Sequence, residues 1–178
     1  MQYKRIFSPG GSYFFTLVTE NRRPLFNTPE NIAALRNAFS TVHTKRPFKI
    51  DAIVILPDHL HCIWTLPDND TDYATRWRLI KTWFTKHCDR SLLTTPPKNS
   101  RKRKQQQGVW QNRYWEHLLR NDADFEKHVD YIHYNPCKHG LVDKPGDWKY
   151  SSFHRFVKRG ILTADWSCNT AFNGVGAE

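Results

Sequence analysis

Two apolar, β-prone runs, FKIDAIVIL (Phe48 to Leu56) and HLHCIWTL (His59 to Leu66), are parted only by Pro57 and Asp58. So short a connection admits an antiparallel pair of strands and excludes a parallel one, which needs a crossover of about a dozen residues. Upstream, SYFFTLVT (Ser12 to Thr19) follows a Pro-Gly-Gly turn and reads as a strand. TPENIAALRNAFSTVHTKR then offers Thr28 as an N-cap, Pro29 at the first helical position, and Ile32, Leu35 and Phe39 at helical spacing. Downstream, DYATRWRLIKTWFTKHC sets Trp77, Ile80 and Phe84 on one apolar stripe, with Arg76, Lys81 and Lys86 around the remainder. The aromatic content of VWQNRYWEHLLR favours a last strand.

Strand, helix, strand, strand, helix, strand is the split βαβ order of an α+β, ferredoxin-like antiparallel sheet with helices on one face. An added C-terminal helix is predicted in NDADFEKHVDYIHYNPCKHGLV, capped by Asn121 or Asp122 and stopped near Asn135 by Pro136 and Gly140. A short helical stretch follows around Ser152 to Lys158. At 178 residues one domain is the expectation, over residues 1–166. Residues 93–107 lose apolar periodicity and carry four consecutive basic residues, reading as an exposed connector; 167–178 read as a flexible polar tail. Cys62, Cys88, Cys137 and Cys168 are too scattered for a disulfide framework or a zinc motif. No apolar run reaches about 18 residues and the N-terminus lacks a signal-like stretch, so a cytoplasmic protein without a membrane partner is expected.

A formal charge of +10 and a pI near 9.6 favour a polyanionic partner, because basic surface gains affinity by counterion release. Within HLHCIWTL, His59 and His61 point to one sheet face and Leu60 to the other. Two imidazoles side by side suit a divalent ion, but hydrogen-bonded partners or a solvent-filled groove would also satisfy them. On the third helix Tyr131 and Asn135 share a face, as do Asp124 and His128. A tyrosine hydroxyl can attack phosphorus, and an amide oxygen one turn away can complete a metal's shell.

PDHLHCIW, WQNRYWEH and HVDYIHYNPCKHGLV, in that order, closely resemble the REP-associated tyrosine transposases, relatives of the single-tyrosine HUH (histidine, hydrophobic residue, histidine) transposases of small insertion sequences. The resemblance runs from about Tyr3 to Trp166 and implies the same ferredoxin-like fold. It implies that His59, His61 and Asn135 bind Mg²⁺ or Mn²⁺ and that Tyr131 is the nucleophile, forming a 5′-phosphotyrosine with single-stranded DNA. Many insertion-sequence relatives carry glutamine where this chain has Asn135. The implied substrate is hairpin DNA of the repeated extragenic palindrome type, and the branch implies a monomer, with a dimer, as in the insertion-sequence relatives, as the alternative.

Candidate DNA contacts are Arg76, Arg78, Arg101, Lys102, Arg103, Lys104, Arg113, Arg155, Lys158 and Arg159. Glu116 and His117 fall near the expected site, with a structural ion pair as their simpler role. Two rival readings remain at this level. A non-catalytic nucleic-acid-binding module would need aromatic recognition motifs on the central strands, not evident in FKIDAIVIL or HLHCIWTL. A metal-dependent hydrolase would need no tyrosine.

Overall fold

The computed structural model describes residues 7–89, 91 and 108–167. Four strands, β1 (Ser12–Val18), β2 (Lys49–Ile55), β3 (His59–Thr65) and β4 (Trp115–Leu118), form one antiparallel sheet in the order β2-β3-β1-β4. The expected hairpin is β2–β3, closed by a Leu56 N–H to His59 C=O bond of 2.8 Å. β1 lies between β3 and β4, pairing Thr16 with His61 on one side and with Trp115 on the other.

Helices α1 (Pro29–Lys45) and α2 (Tyr73–His87) cover one face. Thr28 caps α1 by accepting from the Asn31 N–H, and Asp72 caps α2 by accepting from Thr75. Their stripes, Ile32, Leu35, Phe39 and Trp77, Ile80, Phe84, close over Tyr13, Phe15, Leu17, Leu60, Cys62 and Trp64. Trp64 stacks on Trp77 with ring centroids 4.0 Å apart, anchoring α2 to the middle of the sheet.

Helix α3 (Asp122–Lys138) covers the opposite face. Val129, Tyr131 and Ile132 pack on Phe14, Ala52, Val54, Leu56 and Ile63, the residues that alternate with the first core. The sheet is therefore buried on both sides, and β3 is buried at six of its seven positions. α3 runs three residues beyond the predicted stop. Pro136 removes one N–H from the ladder, but His139 N–H still reaches Asn135 C=O at 3.1 Å. The turn ends at Gly140, whose φ of +64° is the left-handed conformation a helix C-terminus uses.

The expected final strand is only four residues long, and the short helix α4 (Phe153–Lys158) falls where predicted. The proposed connector at 93–107, with Arg101, Lys102, Arg103 and Lys104, lies outside the described residues, as does 168–178 of the expected tail. Among the described residues no helix is long and apolar enough to cross a membrane.

Candidate active site

The alternation of β3 sends Leu60 into the α1/α2 core and turns His59 and His61 towards α3. Both rings are anchored through Nδ1. That of His61 lies 2.9 Å from Thr16 Oγ1 on the neighbouring strand, and that of His59 lies 2.5 Å from Asp58 Oδ1. Burial alone would raise the Asp58 carboxyl, but the His59 hydrogen bond, helped by Arg22, brings it below its ordinary value. Asp58 is held in turn by its backbone, whose carbonyl accepts from Thr19 N–H and Thr19 Oγ1. An imidazole fixed through one nitrogen by an oxygen partner presents the other in a set direction, the arrangement common behind metal-binding histidines. For His59 that other atom, Nε2, is buried and has no hydrogen-bond partner among the described residues. The two rings sit 5.0 Å apart at 83°.

Across from them α3 contributes Tyr131 and, one turn on, Asn135, both buried. The Tyr131 ring packs edge-on to His61 at 5.2 Å and against Phe14 at 5.9 Å. Lys138, seven residues on and exposed, lays its ammonium over the same phenol, 4.9 Å from the ring centroid, and donates to Tyr131 Oη at 3.2 Å. His139 reaches the His59 ring at 5.1 Å. Strand and helix thus bring His59, His61 and Tyr131 into one cluster. Two imidazoles and an amide oxygen fit a divalent ion chemically, and the orphaned Nε2 of His59 is the atom such an ion would satisfy.

Sequence reasoning missed Thr16, Asp58 and Lys138. Asp58 directly precedes His59, and Lys138 stands two helical turns beyond Tyr131, so both left a readable spacing. Thr16 left none, because only the β1–β3 register puts it beside His61.

Residues 9–135, most of the chain, match the family described as transposase, IS200 like. A REP-associated tyrosine transposase of Escherichia coli strain K12 is 43% identical over 166 residues, covering 93% of this chain and 90% of the relative. The chain belongs to this transposase family. A Haemophilus influenzae protein provisionally named as a REP-associated tyrosine transposase is 44% identical over 167 residues, covering 94% of this chain and 93% of its own. In three dimensions the transposase superposes on a REP-associated tyrosine transposase bound to a REP hairpin with a TM-score of 0.83. That match has 40% identity and covers 100% of this chain and 98% of the other. The ferredoxin-like fold and the enzyme class expected from the sequence are both shown by these likenesses.

Of the basic residues expected to contact DNA, the transposase takes Arg76 out of the set. Its side chain is 1% exposed and donates to Asp70 Oδ2, Asp72 C=O, Arg46 C=O and Pro47 C=O, so it ties the start of α2 to the end of α1. The helical pattern put it off the apolar stripe but could not show that loop carbonyls would close over it. Arg155 is half-buried, and its Nη2 bonds the carbonyls of Ile50 and Asp51, where the β2–β3 register slips. Arg78, Arg113, Lys158 and Arg159 are exposed.

A second cluster lies on the α3 face, beyond the Phe14 ring, which stands 5.5 Å from His61 and 4.8 Å from His128. His117 Nε2 is 2.9 Å from Asp124 Oδ2, and His128 Nδ1 is 3.2 Å from Asp124 Oδ1. Burial holds the His128 imidazole below its ordinary pKa, against the pull of Asp124. His117 therefore pairs with Asp124, whereas Glu116, its neighbour on β4, is buried opposite Phe15.

Proposed function

We propose that this transposase cuts and rejoins single-stranded DNA beside a hairpin of the REP type, through a covalent 5′-phosphotyrosine on Tyr131. The observation that carries this reading is Tyr131 packed against His61, on a helix face that also holds Asn135, with a lysine on its hydroxyl. Likeness to a transposase solved with a REP hairpin supports the substrate. His59, His61 and Asn135 would hold the divalent ion, Mg²⁺ or Mn²⁺, which supplies Lewis-acid stabilisation of charge on the scissile phosphate.

The remaining chemistry belongs to the chain. Tyr131 Oη attacks phosphorus as its proton leaves, a P–Oη bond forms, and the bond from phosphorus to the 3′ oxygen breaks; that oxygen takes up a proton as a free hydroxyl. A 3′-hydroxyl from the same or another strand reverses the step, so strands are joined without a nucleotide cofactor. Lys138 covers the phenol and, being exposed, can move from it to an arriving phosphate. Its ammonium, donating to the hydroxyl, assists a nucleophile whose ordinary pKa is near 10. Asp58 and Thr16 hold the two imidazoles still while charge shifts. In this scheme one chain supplies Tyr131 and both histidines, so a monomer suffices.

The test is incubation of hairpin-bearing single-stranded DNA with Mn²⁺ and either wild type or Tyr131→Phe, resolved on a denaturing protein gel. Wild type should carry covalently attached DNA, and Tyr131→Phe should carry none and should not cleave. Full cleavage by Tyr131→Phe would instead favour hydrolysis by an activated water. The binding-module reading loses ground on the fold itself. The central strands are β1 and β3 rather than the β2–β3 hairpin. β1 does carry aromatics, but Phe14 is 0% exposed beneath α3, so no stacking platform faces solvent there.

A further inference from the structure

We propose that His117, Asp124 and His128 form a second metal site, selective for zinc-like transition ions, that fastens the tyrosine helix to the edge strand of the sheet. The three residues come from two elements, β4 and the first two turns of α3, and their candidate ligand atoms all lie within 4.8 Å of one another. Ligands at bond lengths of about 2.0–2.1 Å around a tetrahedral ion lie about 3.3 Å apart, so small side-chain rotations suffice to close the set. Asp124 Oδ2 already lies 2.9 Å from His117 Nε2, and its other oxygen, 3.2 Å from His128 Nδ1, holds that ring through the nitrogen that is not the ligand.

The independent sign of a ligand is His128. Its Nδ1 lies 2.7 Å from the Asp124 backbone carbonyl. A carbonyl only accepts, so Nδ1 carries the hydrogen and Nε2 carries the lone pair, the tautomer in which metal-binding histidines are usually held. That Nε2 is buried, on a residue 3% exposed, and has no hydrogen-bond partner among the described residues. Orphaning a buried imidazole nitrogen costs free energy that a metal bond would recover. Two imidazoles and one carboxylate suit zinc better than magnesium, and three protein ligands leave a position for water.

This site is separate from the proposed catalytic one, from which the Phe14 ring divides it, and does not depend on that reading. A metal here would hold the N-terminal end of α3 against β4, two turns before Tyr131. Bound only by the folded chain, it would also raise thermal stability.

The experiment uses full-length, metal-stripped protein in which His59→Ala and His61→Ala remove the other histidine pair. Calorimetric titration with Zn²⁺, and Co²⁺ absorption in the visible, are measured in this background and after adding His117→Gln or Asp124→Asn. The background variant should bind one ion per chain, show the intense Co²⁺ bands of a tetrahedral site, and melt at a higher temperature with zinc. Each added substitution should weaken binding by more than about 100-fold, since even partners outside the ligand shell are worth about 10–100-fold. Circular dichroism checks that each variant is folded; His117, partly exposed, can be replaced with little packing loss. A folded background variant that binds no zinc overturns the proposal, as does binding that both added substitutions leave unchanged.

Discussion

A single carboxylate, Asp58, connects the hairpin turn to the proposed chemistry. It joins β2 to β3, accepts two bonds at its carbonyl from Thr19, and holds His59 through Nδ1. Asp58→Asn keeps the shape but replaces the charged acceptor that orients the His59 ring with a neutral amide. Mn²⁺ affinity should fall about 10–100-fold while hairpin binding, carried by phosphate contacts elsewhere, is retained. Manganese titration and a gel-shift assay measure the two separately. Arginines at neighbouring positions of α2 make a sharper contrast. Arg76→Ala leaves buried carbonyls without donors and should cost about 3 kcal/mol, a melting-temperature drop of about 6–12 °C. Arg78→Ala, on an exposed side chain, should leave melting unchanged. If Arg78 contacts phosphate, its loss should reduce the slope of log affinity against log salt by about 1.

At the level of elements, what could be read from the chain was whatever is encoded by period and cap. The β2–β3 hairpin, the Thr28 cap of α1 and the stripe of α2 are local patterns, and the structure has each where the spacing puts it. The facing of His59 and His61 away from Leu60 follows from a period of two in the same way. Whatever depends on which segments meet was not legible. No local signal shows that α3 crosses the face left open by α1 and α2, that Thr16 lies beside His61, or that Arg76 is enclosed. The stop of α3 was misplaced because proline usually ends helices, whereas here one missing N–H near the C-terminus is tolerated and Gly140 makes the turn. Gly140→Ala places a Cβ in the left-handed region. It should destabilise the protein by about 1 kcal/mol, read as a melting shift of about 2–4 °C, and, by loosening the turn beside Lys138, slow formation of the DNA adduct.

Over the whole molecule, α3 is held between the sheet and α4, and the group buried at that second contact is His133. It is 0% exposed, ringed by Phe153, Phe156 and Trp166, with Nε2 3.0 Å from Ser152 Oγ. Burial, with the nearby Arg155 charge, depresses its pKa from 6.5 to about 3. The unfolded chain therefore binds a proton at His133 that the folded chain refuses, and stability rises with pH between those two values. The contribution is complete above about pH 6.5 and shrinks as pH falls, by about 2 kcal/mol at pH 5. His128, also depressed by burial, acts in the same direction. Asp58 and Asp124, whose carboxyls are lowered, lose their contributions only below about pH 4, and Asp130, whose carboxyl burial raises, acts in the opposite sense, so the fall in stability from about pH 6.5 to 5 comes from histidine. Urea unfolding of metal-free protein across that window should show stability falling with acid. His133→Gln, which keeps a polar group near Ser152 but cannot take up the proton, should be less stable at pH 7.5 yet flatter with pH. An unchanged slope in that variant would assign the acid sensitivity to other groups.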